Sequence, residues 1–469
     1  MVWASKCVPV PLPFSPSKLM KSLTFCFRQV SASAGLAVLL AAALLGSAGC
    51  SDTAPTAPDD PSAPAAAYRA DVATSWLALQ LKLIRTTPVT PAIIFGRPFG
   101  YTGIAGYEAV APGMGAGASL AGKLNGLSGL PIADKTVAYN WALSTNAALA
   151  AINRSLFANT SAANKATIDS LETANAAGQP GVAAEVQARS VDFGKKVGAA
   201  VAGWAATDGF DNAAPFTLPT GPGMWVPTAP AFAPAGFVHW GDNRPAVAGS
   251  GAGADPGPPL AYSAAPGSPF YVMAREVYDV AQTLTPEQRA IALFWNDVPN
   301  GRNFTPPGHW VSILGQVLAK ERPALDKALT AYAKVGISMS DAAISCFKTK
   351  YTYTLLRPVT YVRGELGHAG WLPLIPTPNF PDYSATHATL SAAAAEALTS
   401  VFGPTYAFTD QNYAQFGLGT RSYASFEEAG AEAGISRLYG GIHYRASCTA
   451  GGVQGKKVAQ TISAKLALR

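Results

Sequence analysis

Five side chains in the last third of the chain could act together on one tetrahedral oxyanion: Lys350, Arg357, His387, Arg437 and His443. Lysine and arginine neutralise the oxygens of such an anion, one imidazole can bond its central atom, and the other can move a proton. They fall in three short segments, Lys350-Tyr-Thr-Tyr-Thr-Leu-Leu-Arg357-Pro358, Ser384-Ala-Thr-His387 and Ser436-Arg437-Leu-Tyr-Gly-Gly441-Ile-His443. No segment is convincing alone, since a single Lys350 or Arg357 is more often a surface charge on an apolar stem. It is the set of three that points to chemistry.

Each segment needs an element to aim it. Lys350 and Arg357 are seven residues apart in an apolar stretch opened by Ser340 and closed by Pro358, so on a helix they share a face with roughly 20° of drift. Arg437 and His443 would diverge on an unbroken helix, but Gly440-Gly441 between them can end the helix and turn the chain back. His387 precedes the strong helix former Ala388-Thr-Leu-Ser-Ala-Ala-Ala-Ala-Glu-Ala-Leu, which places it at a helix N-terminus, where free N–H groups and the dipole favour an anion.

Lys-x6-Arg-Pro, a loop ending in His, and Ser-Arg-x3-Gly-x-His resemble the three motifs of the vanadium-dependent haloperoxidases and type 2 phosphatidic acid phosphatases. Phe294-Trp295, Thr305-Pro-Pro-Gly-His309-Trp310 and the run Trp371 to Tyr383 are similar to the bacterial haloperoxidase-like branch. So is the N-terminal half from Trp76 through Gly106-Tyr-Glu-Ala-Val, so the likeness covers nearly all of the chain after its leader. The resemblance implies vanadate as cofactor, with Lys350, Arg357 and Arg437 on its equatorial oxygens, Ser384, Thr386 and Gly441 as further contacts, His443 bonded to vanadium and His387 as acid/base. Two positions depart from the pattern. The middle motif normally reads Pro-Ser-Gly-His, where this chain has Ser384, Ala385 and Thr386 before His387, so a hydroxyl at Ser384 or Thr386 is left to replace the usual donor. Four residues past His443, where an acid often stands, is Ser447, and the group that orients His443 is open.

The implied reaction is oxidation of halide by hydrogen peroxide. The same residues would equally serve a phosphomonoesterase, with His443 forming a phosphohistidine and His387 protonating the leaving oxygen. An inactive oxyanion-binding lipoprotein is a third reading. His309 could line the pocket, contact substrate or cap its helix. Asp297, Asp382 and Glu432 could each orient a histidine or be caps or surface acids.

Composition sets the remaining bounds. A chain of 469 residues, 49% hydrophobic and 13% charged, can bury a large core or two smaller ones. Lys6, Lys18, Lys21 and Arg28 precede residue 50; without them the formal charge of +6 falls to +2, and no basic run suggests nucleic acid. Met20 to Arg28, the apolar run Ala34 to Leu45, and Gly46-Ser-Ala-Gly-Cys50 read as an export signal over 1–49. Its natural start fits Met20 better than Met1, and Cys50 is a candidate lipid attachment site. The expected location is therefore periplasmic or membrane-anchored, with lipid on Cys50 as the only membrane contact. Residues 50–67 read as a disordered tether rich in Pro and Ala. Cys346 and Cys448 flank the proposed site and could form a disulfide or remain two buried thiols.

The expected fold is all-α, helical bundles with the site among the C-terminal helices. A helical half over 68–206 and a catalytic half over 267–469 are separated by a Pro/Gly-rich arm over 207–266, whose Trp225, Phe232, Trp240 and Tyr262 suggest packing over the surface. Separate helices are expected over 324–336 and 340–356, and Ser425 with Glu428 forms a capping-box pattern ahead of Arg437.

Overall fold

A computed structural model describes residues 63–88, 90, 94–298 and 303–468. The expected leader and most of the tether lie outside these residues. The tether's last part does not behave as one: Ala63 and Ala65 are buried, Ala65–Ala67 form a 3-10 turn, and the Trp141 indole donates to the Ala63 carbonyl at 3.1 Å.

The described residues fold as α1 (Asp71–Thr86), α2 (Arg97–Val110), α3 (Trp141–Leu156), α4 (Ala162–Ala177), α5 (Ala184–Ala205), α6 (Pro269–Gln282), α7 (Pro286–Phe294), α8 (Pro306–Glu321), α9 (Leu325–Tyr353), α10 (Pro358–Gly364), α11 (Thr386–Phe402), α12 (Phe426–Tyr439) and α13 (Arg445–Leu466). One short antiparallel pair, β1 (Phe408–Asp410) with β2 (Arg421–Tyr423), interrupts the helices. Local chemistry sets many boundaries. Asn140, Ser161, Ser268, Thr285, Thr305 and Ser425 each accept a first-turn N–H, and Pro269, Pro286 and Pro306 sit where no N–H is needed. At α12 the box is displaced: Ser425 accepts from Glu428 N, while the Glu428 carboxylate reaches Ala424 N.

The central element is α9. Gly336 and Ser340 do not break it into two helices; it runs through 29 residues. Gly336 is needed for packing, since a Cβ there would collide with the Phe99 carbonyl of α2. The two halves of the chain consequently share one hydrophobic core, reaching from Tyr68 and Trp76 through Phe99 and Leu329 to Ile462. A smaller cluster around Phe270, Tyr361 and Tyr444 lies under α6. A polar cluster inside the core is fully paired: Gln80 of α1 donates to Thr102 at 2.7 Å and Asn153 at 3.1 Å, and accepts from the Tyr332 hydroxyl of α9.

The 207–266 arm packs on the catalytic half. Trp225 and Trp240 are buried, whereas Phe232 is 63% exposed. Met224 bridges to Leu355, with Trp225 N donating to Thr354 O at 2.7 Å and Leu356 N to Gly223 O at 2.9 Å. The arm thus holds the short extended piece that follows α9 and leads into Arg357.

Candidate active site

Lys350 and Arg357 do not share a helix face. Helix α9 ends at Tyr353, Thr354 takes a left-handed conformation (φ 44), and Arg357 is the N-cap residue of α10. They converge because the chain reverses between them. Both lie against the Phe380 ring, Lys350 Nζ at 5.1 Å and the Arg357 guanidinium carbon at 4.9 Å from its centroid. Both are fully buried.

The buried ammonium of Lys350 gathers the loop before α11, donating to the carbonyls of Pro381, Asp382 and Ser384 at 2.8, 2.9 and 2.5 Å. Burial pulls its pKa down to about 7. Arg357 donates from Nε to Phe380 O at 2.7 Å and from Nη1 to Ile442 O and His443 Nε2, both at 3.0 Å. Its Nη2 is buried with no partner. An orphaned guanidinium donor at this depth is costly, and a bound oxyanion would satisfy it.

His443 follows the turn expected at the paired glycines: Gly440 caps α12 and Gly441 has φ +77. Arginine can only donate, so Nε2 of His443 is the acceptor and its proton belongs on Nδ1. Nδ1 lies 2.9 Å from Asp382 Oδ1, off the line of a strong N–H donation. Ser447 donates to the other oxygen of Asp382. Burial, then the charges of Arg357, Lys350 and Arg437, hold His443 neutral, with its pKa well below the ordinary value. Burial also pushes Asp382 up to about 6, against the pull of Arg357.

His387 is the second residue of α11, close to where the sequence placed it. Its Nε2 lies 2.9 Å from Asp297 Oδ2, again out of line. Burial and the Arg437 charge draw it down to about 4. Arg437 donates to Ser436 Oγ at 2.9 Å and Trp295 O at 2.5 Å. Thr386, His387, Arg437 and His443 face a cavity of about 230 Å³, which Asn296, Asp297 and Asn379 also line and whose remaining wall is apolar, with Phe95, Phe237, Ile375, Phe380 and Leu390.

Two open alternatives are decided and one expectation changes. The Ser384 hydroxyl donates to Gln454 at 2.6 Å, away from the cavity, so Thr386 is the hydroxyl that faces it. The Gly441 N–H is committed to Leu438 O at 2.9 Å, and the glycine serves the turn instead of offering a donor. Cys346 and Cys448 are separate buried thiols, Cys346 beside Ser384 and Thr386 and Cys448 against Ala385 and Ala388. Of the acids left open, Asp382 and Asp297 reach histidines, whereas Glu432 accepts from the Trp295 indole at 2.9 Å and from Arg421. His309 is wholly buried, bonded to Asp297 at 2.8 Å and Asp410 at 2.7 Å. Asp410 and Tyr413 escaped the sequence reading, because partners a hundred residues apart leave no local pattern.

Buried cations around a neutral imidazole acceptor, with a second imidazole across the cavity, define an oxyanion site of the kind that holds vanadate or phosphate. The comparisons with known proteins agree. A family model described as the VCPO second helical-bundle domain matches residues 330–468. A bacterial vanadium-dependent iodoperoxidase structure is 33% identical, with a TM-score of 0.74 over 85% of this chain and 96% of its own. Holo and apo structures of a bacterial vanadium-dependent chloroperoxidase share the fold, at 12% and 13% identity and TM-scores of 0.58, over 81% of this chain and 93% and 95% of theirs. No curated protein sequence matches. The chain belongs to the vanadium-dependent haloperoxidase superfamily and is an enzyme.

Proposed function

We propose that this enzyme is an exported vanadium-dependent haloperoxidase that oxidises halide with hydrogen peroxide, iodide being the first halide to test because the 33%-identical relative is an iodoperoxidase. The observation that carries the reading is a neutral His443 whose Nε2 is an acceptor, held at 3.0 Å by Arg357 Nη1, beside the partnerless Nη2 of the same arginine. Vanadate, when bound, supplies a Lewis-acid centre that activates peroxide toward halide.

The protein's own groups do the rest. His443 offers its Nε2 lone pair, and Asp382 with Ser447 fixes the ring. Arg357 and Arg437 answer the oxyanion's charge, as does Lys350 when protonated. Thr386 adds a hydroxyl. His387, neutral and backed by Asp297, can take a proton from hydrogen peroxide and return it to a leaving oxygen. The apolar wall limits water at the cavity. Export and lipid attachment at Cys50 rest on residues 20–50 alone, which lie outside the described part of the chain.

The test is iodide and bromide oxidation by purified protein with and without orthovanadate, beside phosphomonoester hydrolysis on the same sample. Vanadate-dependent halide oxidation, suppressed by excess phosphate, is expected. Vanadate-inhibited phosphate release with no halide oxidation would assign a phosphatase instead, and anion binding with neither activity a binding protein.

A further inference from the structure

His309 touches neither the cavity nor the oxyanion groups, yet it is the most fully enclosed histidine of the active-site region. Its side chain is 0% exposed, as is that of Asp297. Asp297 Oδ1 lies 2.8 Å from Nδ1 and Asp410 Oδ2 lies 2.7 Å from Nε2, and both contacts are in line for hydrogen bonds. A neutral imidazole has one N–H, so one of these contacts would set a lone pair against a carboxylate. With both carboxylates ionised, both contacts are satisfied only if the ring carries two protons and a positive charge. The ring is also held by stacking on Trp295, with centroids 4.4 Å apart and planes at 22°.

Asp297 is thereby tied from one side. Its Oδ1 accepts from His309 and from the Tyr413 hydroxyl at 2.6 Å, which leaves Oδ2 facing Nε2 of His387 at 2.9 Å. Asp410 is anchored in turn by Asn412 N at 2.9 Å and Gln316 at 3.4 Å. Charge therefore alternates along Asp410, His309 and Asp297, with the neutral His387 next and the Arg437 cation beyond it.

We propose that His309 is a positioning residue, an imidazolium clamped between Asp410 and Asp297 that keeps the Asp297 carboxylate ionised and aimed at His387. The inference rests on the reading of His387 as the acid/base group. A bare carboxylate buried beside His387 would hold that imidazole protonated, and a protonated Asp297 would not orient it; the cation behind Asp297 avoids both. The energetics agree in direction: the two carboxylates outweigh burial and raise His309 to about 10, while burial, Arg437 and His309 together keep His387 low. The other ionisable groups facing this row are Tyr413, His443 and, through the Trp295 indole, Glu432.

The experiment is a pH titration of histidine ring nitrogens by NMR on the vanadate-free protein, with His387→Gln and His309→Gln used to assign the two rings. In the wild type, His309 is expected to show two protonated nitrogens from pH 5 to 9. The His387 midpoint should move upward in His309→Gln by about one unit or more, as expected for loss of a cation a few ångströms away. It should move downward in Asp410→Asn, where the cation persists and its distal anion is gone. A His309 ring that is singly protonated at neutral pH, or shifts of the same sign in both variants, would overturn the proposal. Should His309→Gln fail to fold, the wild-type spectrum and Asp410→Asn decide the matter alone. None of these readouts needs halide turnover, so absence of peroxidase activity would count against the function and leave the clamp standing.

Discussion

Asp382 Oδ1 lies 2.9 Å from Nδ1 of His443, and the hydroxyl of Ser447 holds the other oxygen of the same carboxylate. The position four residues after the histidine, where the family often has an acid, therefore supports the acid without supplying it. The loop before α11 delivers the carboxylate, and Lys350 fixes that loop through three of its carbonyls.

Asp382→Asn is expected to weaken orthovanadate binding by about 10- to 100-fold, the usual effect of removing a group that orients a metal-bound histidine. Calorimetric titration of orthovanadate into the two proteins checks this.

His387→Ala should lower vanadate-dependent halide oxidation by about 10²- to 10⁴-fold while leaving orthovanadate affinity within a few fold. His443→Ala should abolish turnover and binding together. Retained turnover in His443→Ala would remove it from the role of vanadium partner.

The pair His309 and His387 responds to pH with opposite signs. His309, raised to about 10 from an unfolded value near 6.5, contributes stability fully present below about pH 6.5 and lost as pH climbs toward 10. His387, lowered to about 4, contributes stability present above about pH 6.5 and lost as pH falls toward 4. Other buried groups, Lys350 and Asp382 among them, titrate over the same range. The gap in melting temperature between wild type and His309→Gln reads the first effect on the alkaline side, where His387 is neutral in both proteins: it should shrink as pH climbs from about 6.5 toward 10.

Cys346 and Cys448 should be alkylated only after unfolding, and to the same extent with or without prior reductant. Peptide mass spectrometry reads this directly, and protection that reductant removes would indicate a disulfide.

Gly455→Ala should destabilise the protein by about 1–3 kcal/mol in urea unfolding, since the new methyl would meet the Thr389 carbonyl where α13 crosses α11.

Much of this site was legible in the sequence because its signals were local. The three segments contained every cation and both imidazoles, the paired glycines marked the turn before His443, and Ser425 with Glu428 marked the start of α12. What could not be read depended on partners far along the chain. The reversal at Thr354 has no glycine to announce it; the bridge from Met224 to Leu355 holds the segment on its far side. Gly336 looked like an interruption and is a contact with α2. The clamp on His309 joins a loop, a helix and a strand, and nothing in Thr409-Asp410-Gln411 signals that its acid is buried.

The cavity is assembled from distant stretches of chain. Thr386, His387, Arg437 and His443 are the hydroxyl, cation and imidazoles of the lining, while Phe95 and Phe237 come from the N-terminal half and the arm. Those two rings make none of the hydrogen bonds that set the charge balance. Substitutions there can reshape what enters without retuning how it reacts, so selectivity and reactivity can evolve on separate schedules. A library that varies Phe95 and Phe237 and spares the oxyanion groups tests that separation.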